Sequence, residues 1–108
     1  VTVSELYTRF DAVFFEKTRL SIVTMLNQDE RLAFGALKER LGGTDGAIYT
    51  HLEKLIKAGY VRKERVLAPA GAQTMYELTD YGRNEFQAYI EFLSMMLAGT
   101  VNYNGGEN

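Results

Sequence analysis

The side chains with most to offer chemically sit between Thr44 and Lys57. Thr44, Gly46, Ala47, Tyr49, Thr50, His51, Lys54 and Lys57 lie off the apolar stripe that Ile48, Leu52, Leu55 and Ile56 make at helical spacing. Threonine and tyrosine hydroxyls donate to phosphates or base edges. Glycine and alanine permit close approach and can touch a thymine methyl, and lysines suit phosphates. Nothing comparable points to catalysis. The chain has one histidine, no cysteine and no phosphate-cradling glycine pattern, and Asp29, Glu30 and Asp45 lack metal-loop spacing. His51 has neither a nucleophile nor a carboxylate partner in sequence view. Two readings of it stand side by side: a residue on the reading side, or a partly buried histidine bonded locally. Tyr49 likewise is either a reader or surface packing. No enzyme, cofactor or metal is expected.

The elements that must hold these residues are legible on either side. Phe34, Leu37 and Leu41 recur at helical spacing and stop at Gly42-Gly43, where a helix ends in the left-handed conformation. Thr44 is an N-cap for the next helix, Asp45 sits at the positive end of its dipole, and Gly59 closes it. Two short helices around a tight turn make a helix-turn-helix, whose second helix commonly enters the DNA major groove. Tyr60 to Leu67 alternates as an exposed strand does, Ala68 to Ala72 carries turn signals, and Gln73 to Leu78 reads as the returning strand. Upstream, Ser4 caps a first helix with Leu6, Phe10, Val13 and Phe14 on one face. Thr18 to Leu26 forms a second, with Leu20, Val23 and Leu26 inward and Arg19 outward. Arg31 to Ala33 reads as a third, minor strand. The last helix spans about Asp80 to Leu97.

Three segments carry a family likeness: LKERLGGTDGAIYTHLEKLIKAGYV, the hairpin around Pro69, and YELTDYGRNEF. They resemble the small winged-helix transcriptional regulators of the MarR/ArsR/PadR type, nearest the short group that is little more than a DNA-binding domain. The likeness covers about residues 17–97. It implies a mainly α fold with a small β-wing, in the order α-α-(β)-α-α-β-β-α. It also implies duplex DNA as partner, with helix Thr44–Ala58 in the major groove and hairpin Tyr60–Leu78 alongside. His51 aligns with a histidine frequent in that family's recognition helix. The chain departs from the pattern in three places. Ala33 replaces the usual Ser or Thr cap, worth about 1 kcal/mol. Ala47 stands where many relatives have a polar reader. The wing tip lacks the arginine that enters the minor groove, which leaves Lys63 and Arg65, lower on the wing, for phosphates.

Composition agrees with one domain. The 108 residues are 46% hydrophobic, enough for a modest core. The net charge of −2 argues mildly against nucleic acid, but its distribution argues the other way. Residues 38–65 hold seven basic side chains against four acidic, and beyond Arg65 there is one against five. In the last helix Phe86, Ile90, Leu93 and Leu97 make one apolar stripe and Tyr89, Phe92 and Met96 a second. A helix buried on two sides suggests a symmetric homodimer through the terminal helices, with Leu6, Phe10, Phe14, Tyr89, Phe92, Leu93 and Met96 at the interface, the two amino-terminal phenylalanines packing either on the last helix or on the second subunit. Residues 1–98 are expected to form the winged-helix and dimerisation domain, and 99–108 a flexible tail. The absence of cysteine and of membrane-length apolar runs fits a cytoplasmic protein. No residues single out a small-molecule effector. The competing function is a winged-helix module that contacts protein and not DNA.

Overall fold

The computed structural model describes Ser4, Thr8 and residues 10–106, with the side chains described as far as Gly99. Its elements are α1 (Lys17–Gln28), β1 (Leu32–Ala33), α2 (Phe34–Leu41), α3 (Asp45–Lys57), β2 (Val61–Ala68), β3 (Gly71–Leu78) and α4 (Asp80–Gly106). The three strands form one antiparallel sheet in the order β1-β3-β2. The minor strand pairs Leu32 with Tyr76 and Ala33 with Met75. This is the winged-helix arrangement.

The core forms where the helical stripes meet the root of the wing. Ile22, Val23 and Leu26 of α1, Leu37 of α2, and Ile48, Leu52 and Leu55 of α3 are buried with Leu32, Val61, Tyr76, Leu78 and Phe86. Ile22, not Leu20, takes the central place on α1, and Leu20 is only partly covered. As Ala33 implies, α2 starts without a side-chain cap.

The amino-terminal stretch departs from expectation. Ser4 and Thr8 are helical, and the Thr8 hydroxyl donates to the Ser4 carbonyl at 3.0 Å. The chain then turns, so Phe10, Val13 and Phe14 do not share one helical face. Asp11 causes the turn: the Phe14 amide donates to both its carbonyl (3.2 Å) and its carboxylate (3.1 Å). Leu6 lies outside the described residues.

Of the two places open to Phe10 and Phe14, the last helix or a second subunit, the structure shows the first, and Tyr89 and Phe92, assigned to a partner, meet them there. Phe14 is fully buried and Phe10 nearly so. Tyr89 meets Phe14 at 5.4 Å and Phe15 at 5.1 Å, both edge to face, and Phe92 meets Phe10 at 6.4 Å. Such pairs add about 0.5–1.5 kcal/mol each beyond their area. The stripe holding Tyr89 and Phe92 therefore faces its own domain. On α4, Ile90, Met95 and Leu97 are exposed, as is Tyr81 in its first turn. The helix also runs past Leu97 to Gly106, through the residues expected to end it.

One clasp joins the end of α3 to the start of α4. The Thr79 hydroxyl donates to the Gly59 carbonyl at 2.6 Å and accepts from the Gly82 amide at 2.9 Å. The Tyr60 and Tyr81 rings stack at 5.4 Å. Gly82 packs so closely that a Cβ there would overlap the Tyr60 backbone carbonyl. Gly82→Ala should cost about 1–3 kcal/mol through this overlap. Gly35→Ala meets open space in a helix and should stabilise by up to about 1 kcal/mol. Urea denaturation of the two variants measures both, and equal midpoints would contradict the clasp.

Candidate nucleic-acid interface

Helix α3 is presented by the turn before it. Gly42 and Gly43 adopt φ of 72° and 91°, a region other residues rarely enter. The Thr44 hydroxyl then accepts from the Ala47 amide at 3.2 Å, the expected cap. Asp45 pairs with Lys38 across the turn at 2.6 Å. With Ile48, Leu52 and Leu55 buried, the opposite face is open. Thr44, Gly46, Ala47, Tyr49, Thr50, Lys54 and Lys57 are all exposed. The Thr50 hydroxyl donates back to the Gly46 carbonyl at 2.9 Å, which leaves its oxygen to accept.

His51 is not on that surface. It points at α1, where Arg19 is the buried charge, 7% exposed, and not the outward residue its position suggests. Arg19 donates from Nε to the Val13 carbonyl at 2.7 Å, from Nη2 to the Ala12 carbonyl at 3.4 Å, and from Nη1 to His51 Nδ1 at 3.0 Å. The same His51 Nδ1 lies 3.5 Å from Glu16 Oε1, so the ring sits between the arginine and the carboxylate. Of the two readings of His51, the locally bonded one describes this geometry. Glu16 caps α1 by accepting from the Arg19 amide at 2.8 Å. Burial pushes the Glu16 carboxyl up, but the Arg19 amide bond and the charges of His51 and Arg19 together outweigh it and hold the group below the ordinary carboxylate range.

The wing stands beside α3. On the strand face toward the helix, Lys63, Arg65, Thr74 and Tyr76 line a hollow with Tyr49. A larger open groove of about 650 Å³ continues along Tyr49 to Asp45, Gly46, Gln73 and the start of α2. Lys63 is committed here: its ammonium bonds Glu53 at 2.8 Å and lies 5.5 Å from the centre of the half-exposed Tyr49 ring. Lys63, expected at a phosphate, is thus paired with a carboxylate beside Tyr49 in this structure. Other cations are also paired: Arg31 with Glu64, Arg40 with Asp29, and Arg62 with Glu77. Among the described residues, Lys54, Lys57 and Arg65 have no acidic partner, and Arg65 bonds only the Thr74 hydroxyl, at 3.2 Å. Sequence reasoning missed Gln73 and Thr74. The alternation of β3 was the available signal for Thr74, which it sets opposite Arg65, but not for Gln73, which it sets opposite Val66.

A family model described as a winged helix DNA-binding domain matches residues 18–97. The chain belongs to the winged helix DNA-binding domain family. It is accordingly no enzyme. An uncharacterized protein of Methanocaldococcus jannaschii is 33% identical over 78 residues, 72% of this chain and 85% of that one. Among solved structures, a transcriptional regulator homologue from Pyrococcus horikoshii OT3 superposes with a TM-score of 0.79 at 24% identity, covering 91% of this chain and 98% of that one. Escherichia coli MarR complexed with operator DNA superposes with a TM-score of 0.66 at 19% identity, covering 83% of this winged helix and 64% of MarR. These likenesses are of fold. Among the described residues, no helix is long and apolar enough to cross a membrane, and no group of side chains could hold a metal ion.

The Glu16 cap makes the seating of α1 in this winged helix acid-sensitive. A carboxyl lowered on folding stabilises the fold above its ordinary value of 4.5, and this is lost as pH falls through the lowered folded value. Denaturation across that window should show stability falling with acid, and less steeply in Glu16→Gln. A variant with an unchanged slope would contradict the assignment.

Proposed function

We propose that this winged helix is a cytoplasmic, sequence-specific regulator of transcription that binds duplex DNA as a homodimer. The observation that carries the reading is the open face of α3: hydroxyls, small residues and unpaired lysines lie clear of the core, flanked by Arg65 on the wing. Its first turns offer Thr44, Gly46, Ala47, Tyr49 and Thr50 to base edges. Lys54, Lys57 and Arg65 supply charge for phosphates on either side. MarR, whose fold this chain shares, has been seen with operator DNA. The alternative, a module that contacts protein, draws support from the net charge of −2 and the many paired cations.

Binding sites selected from a random duplex pool, followed by salt titration, test the reading. Affinity should fall steeply with salt as counterions are released, and a protein-contacting module should show no such affinity. Lys54→Gln, Lys57→Gln and Arg65→Gln should each weaken all sequences alike and lower the slope by about 0.9. Lys63→Gln should leave the slope in place and weaken discrimination instead, because Tyr49 loses its cover. Tyr49→Ala should narrow the gap between best site and random DNA by about 1–3 kcal/mol.

Dimerisation rests on the exposed apolar side of α4. Leu97 is 56% and Met95 58% exposed in a single protomer. Two recognition helices about 34 Å apart would address successive major grooves of a near-palindrome. Leu97→Glu should yield a helical monomer, because the side chain has little role in its own core. Sedimentation of wild-type protein as a monomer at micromolar concentration would contradict the dimer.

A further inference from the structure

Three ionisable groups, Glu16, Arg19 and His51, meet where α3 packs on α1. His51 is the chain's one histidine, and its side chain is 23% exposed. Its Nδ1 lies 3.0 Å from Arg19 Nη1 and 3.5 Å from Glu16 Oε1. Arg19 is buried, and that same Glu16 oxygen caps α1 by accepting from the Arg19 amide at 2.8 Å. One ring nitrogen thus faces a donor and an acceptor at once.

The two contacts favour different charge states of the ring. A guanidinium only donates, so the Arg19 contact is a hydrogen bond only while Nδ1 carries no proton. A carboxylate only accepts, so the Glu16 contact strengthens when Nδ1 does carry one. Proton uptake sets a second positive charge beside a guanidinium that is already buried, and takes away one of its acceptors. The ring relieves both by turning from Arg19 toward Glu16. Histidine is the side chain that changes charge between about pH 5 and 8. Solvent reaches this one through a hollow of about 280 Å³, lined by His51 with Lys17, Ser21 and the Gly42-Gly43 turn. Among the charged groups around the ring, Lys17 and Arg19 on α1 oppose its protonation, and Glu16 before α1 favours it. The end of α2 and the turn bring Leu41, Gly42 and Gly43, which carry no charge.

The exposed face of α3 lies on the same turns of helix. Thr50 directly precedes His51, and Tyr49 and Lys54 flank the pair. A ring that changes partner shifts these residues with it. We infer that His51 is a proton-operated positioning residue, which holds α3 for DNA through Arg19 when neutral and gives up that hold for Glu16 when protonated. The inference rests on the DNA reading above and adds its regulation. Duplex affinity falls as the pH falls through the histidine range. A histidine that met phosphate directly would give the opposite sign, because a positive ring binds a polyanion more tightly. Glu16 stays charged throughout that range, since its carboxyl is held below its ordinary 4.5. The effect is therefore separate from the loss of stability in stronger acid.

The test uses the full chain and the duplex that wild-type protein selects from a random pool, at fixed ionic strength. Between about pH 7.5 and 5.5 wild-type affinity should fall several-fold. In the free protein, NMR should show the Tyr49 and Thr50 amide shifts following the same midpoint as the His51 ring protons. His51→Asn carries an amide oxygen close to the place of Nδ1 but takes up no proton, so both pH dependences should vanish. Glu16→Gln should move the midpoint to lower pH, because the protonated ring loses its carboxylate. That arm decides the matter even where the asparagine variant fails to fold. Salt-sensitive binding that is unchanged or tighter in acid overturns the inference while the DNA reading stands. Amides of α3 that stay still while the ring titrates, or a midpoint unmoved in Glu16→Gln, also overturn it. If wild-type protein binds no duplex at either pH, the DNA reading fails and takes its regulation with it.

Discussion

A buried guanidinium governs how α3 is held. Arg19 reaches from α1 to two carbonyls of the turn at residues 12–13 and to His51 in the middle of α3. A charge in the interior is tolerated only when its donors find partners, and this one spans three segments to do so. The arrangement sets the rotation of α3 about its axis. With His51 directed inward and Ile48, Leu52 and Leu55 buried beside it, Tyr49, Thr50 and Lys54 have to face outward. The exposed face of α3 and the buried arginine are two sides of one constraint.

Pairing of charges shapes that face as much as their number does. Seven basic residues between Lys38 and Arg65 suggest a broadly positive surface. Carboxylates within bonding distance of Lys38, Arg40, Arg62 and Lys63 reduce it to a few positions around α3 and the wing root. Exposed pairs of this kind contribute little stability, roughly 0–1 kcal/mol. Their effect is to choose which cations meet a polyanion. Lys63 shows the difference, since it is paired with Glu53 beside Tyr49 while Lys54, Lys57 and Arg65 have no acidic partner among the described residues.

The fold was legible because each local signal agreed with the next. The Gly42-Gly43 turn, the Thr44 cap, the alternation of the hairpin and even the uncapped Ala33 all have their expected counterparts. What could not be read was which polar residue the core would accept. Arg19 lies one position from the apolar stripe of α1, and only the turn made by Asp11 delivers carbonyls to receive it. The same turn defeated the reading of Phe10 and Phe14 as one helical face and drew Tyr89 inward onto them. Periodicity put Phe86 on one apolar stripe of α4 and Tyr89 on another, but the chain's own core takes from both. Ion pairs between residues far apart in sequence, such as Glu53 with Lys63 across helix and wing, leave no local trace.

The central claim is that duplex DNA is met by α3 and the helix-facing side of the wing. Amide chemical shifts followed by NMR during titration with the selected duplex test it most directly. The account predicts salt-sensitive perturbations at Thr44 to Lys57 and along Lys63 to Thr74, with the amides of Ile22, Val23 and Leu26 little moved. Perturbations confined to α4, or none at all with any duplex, would contradict it.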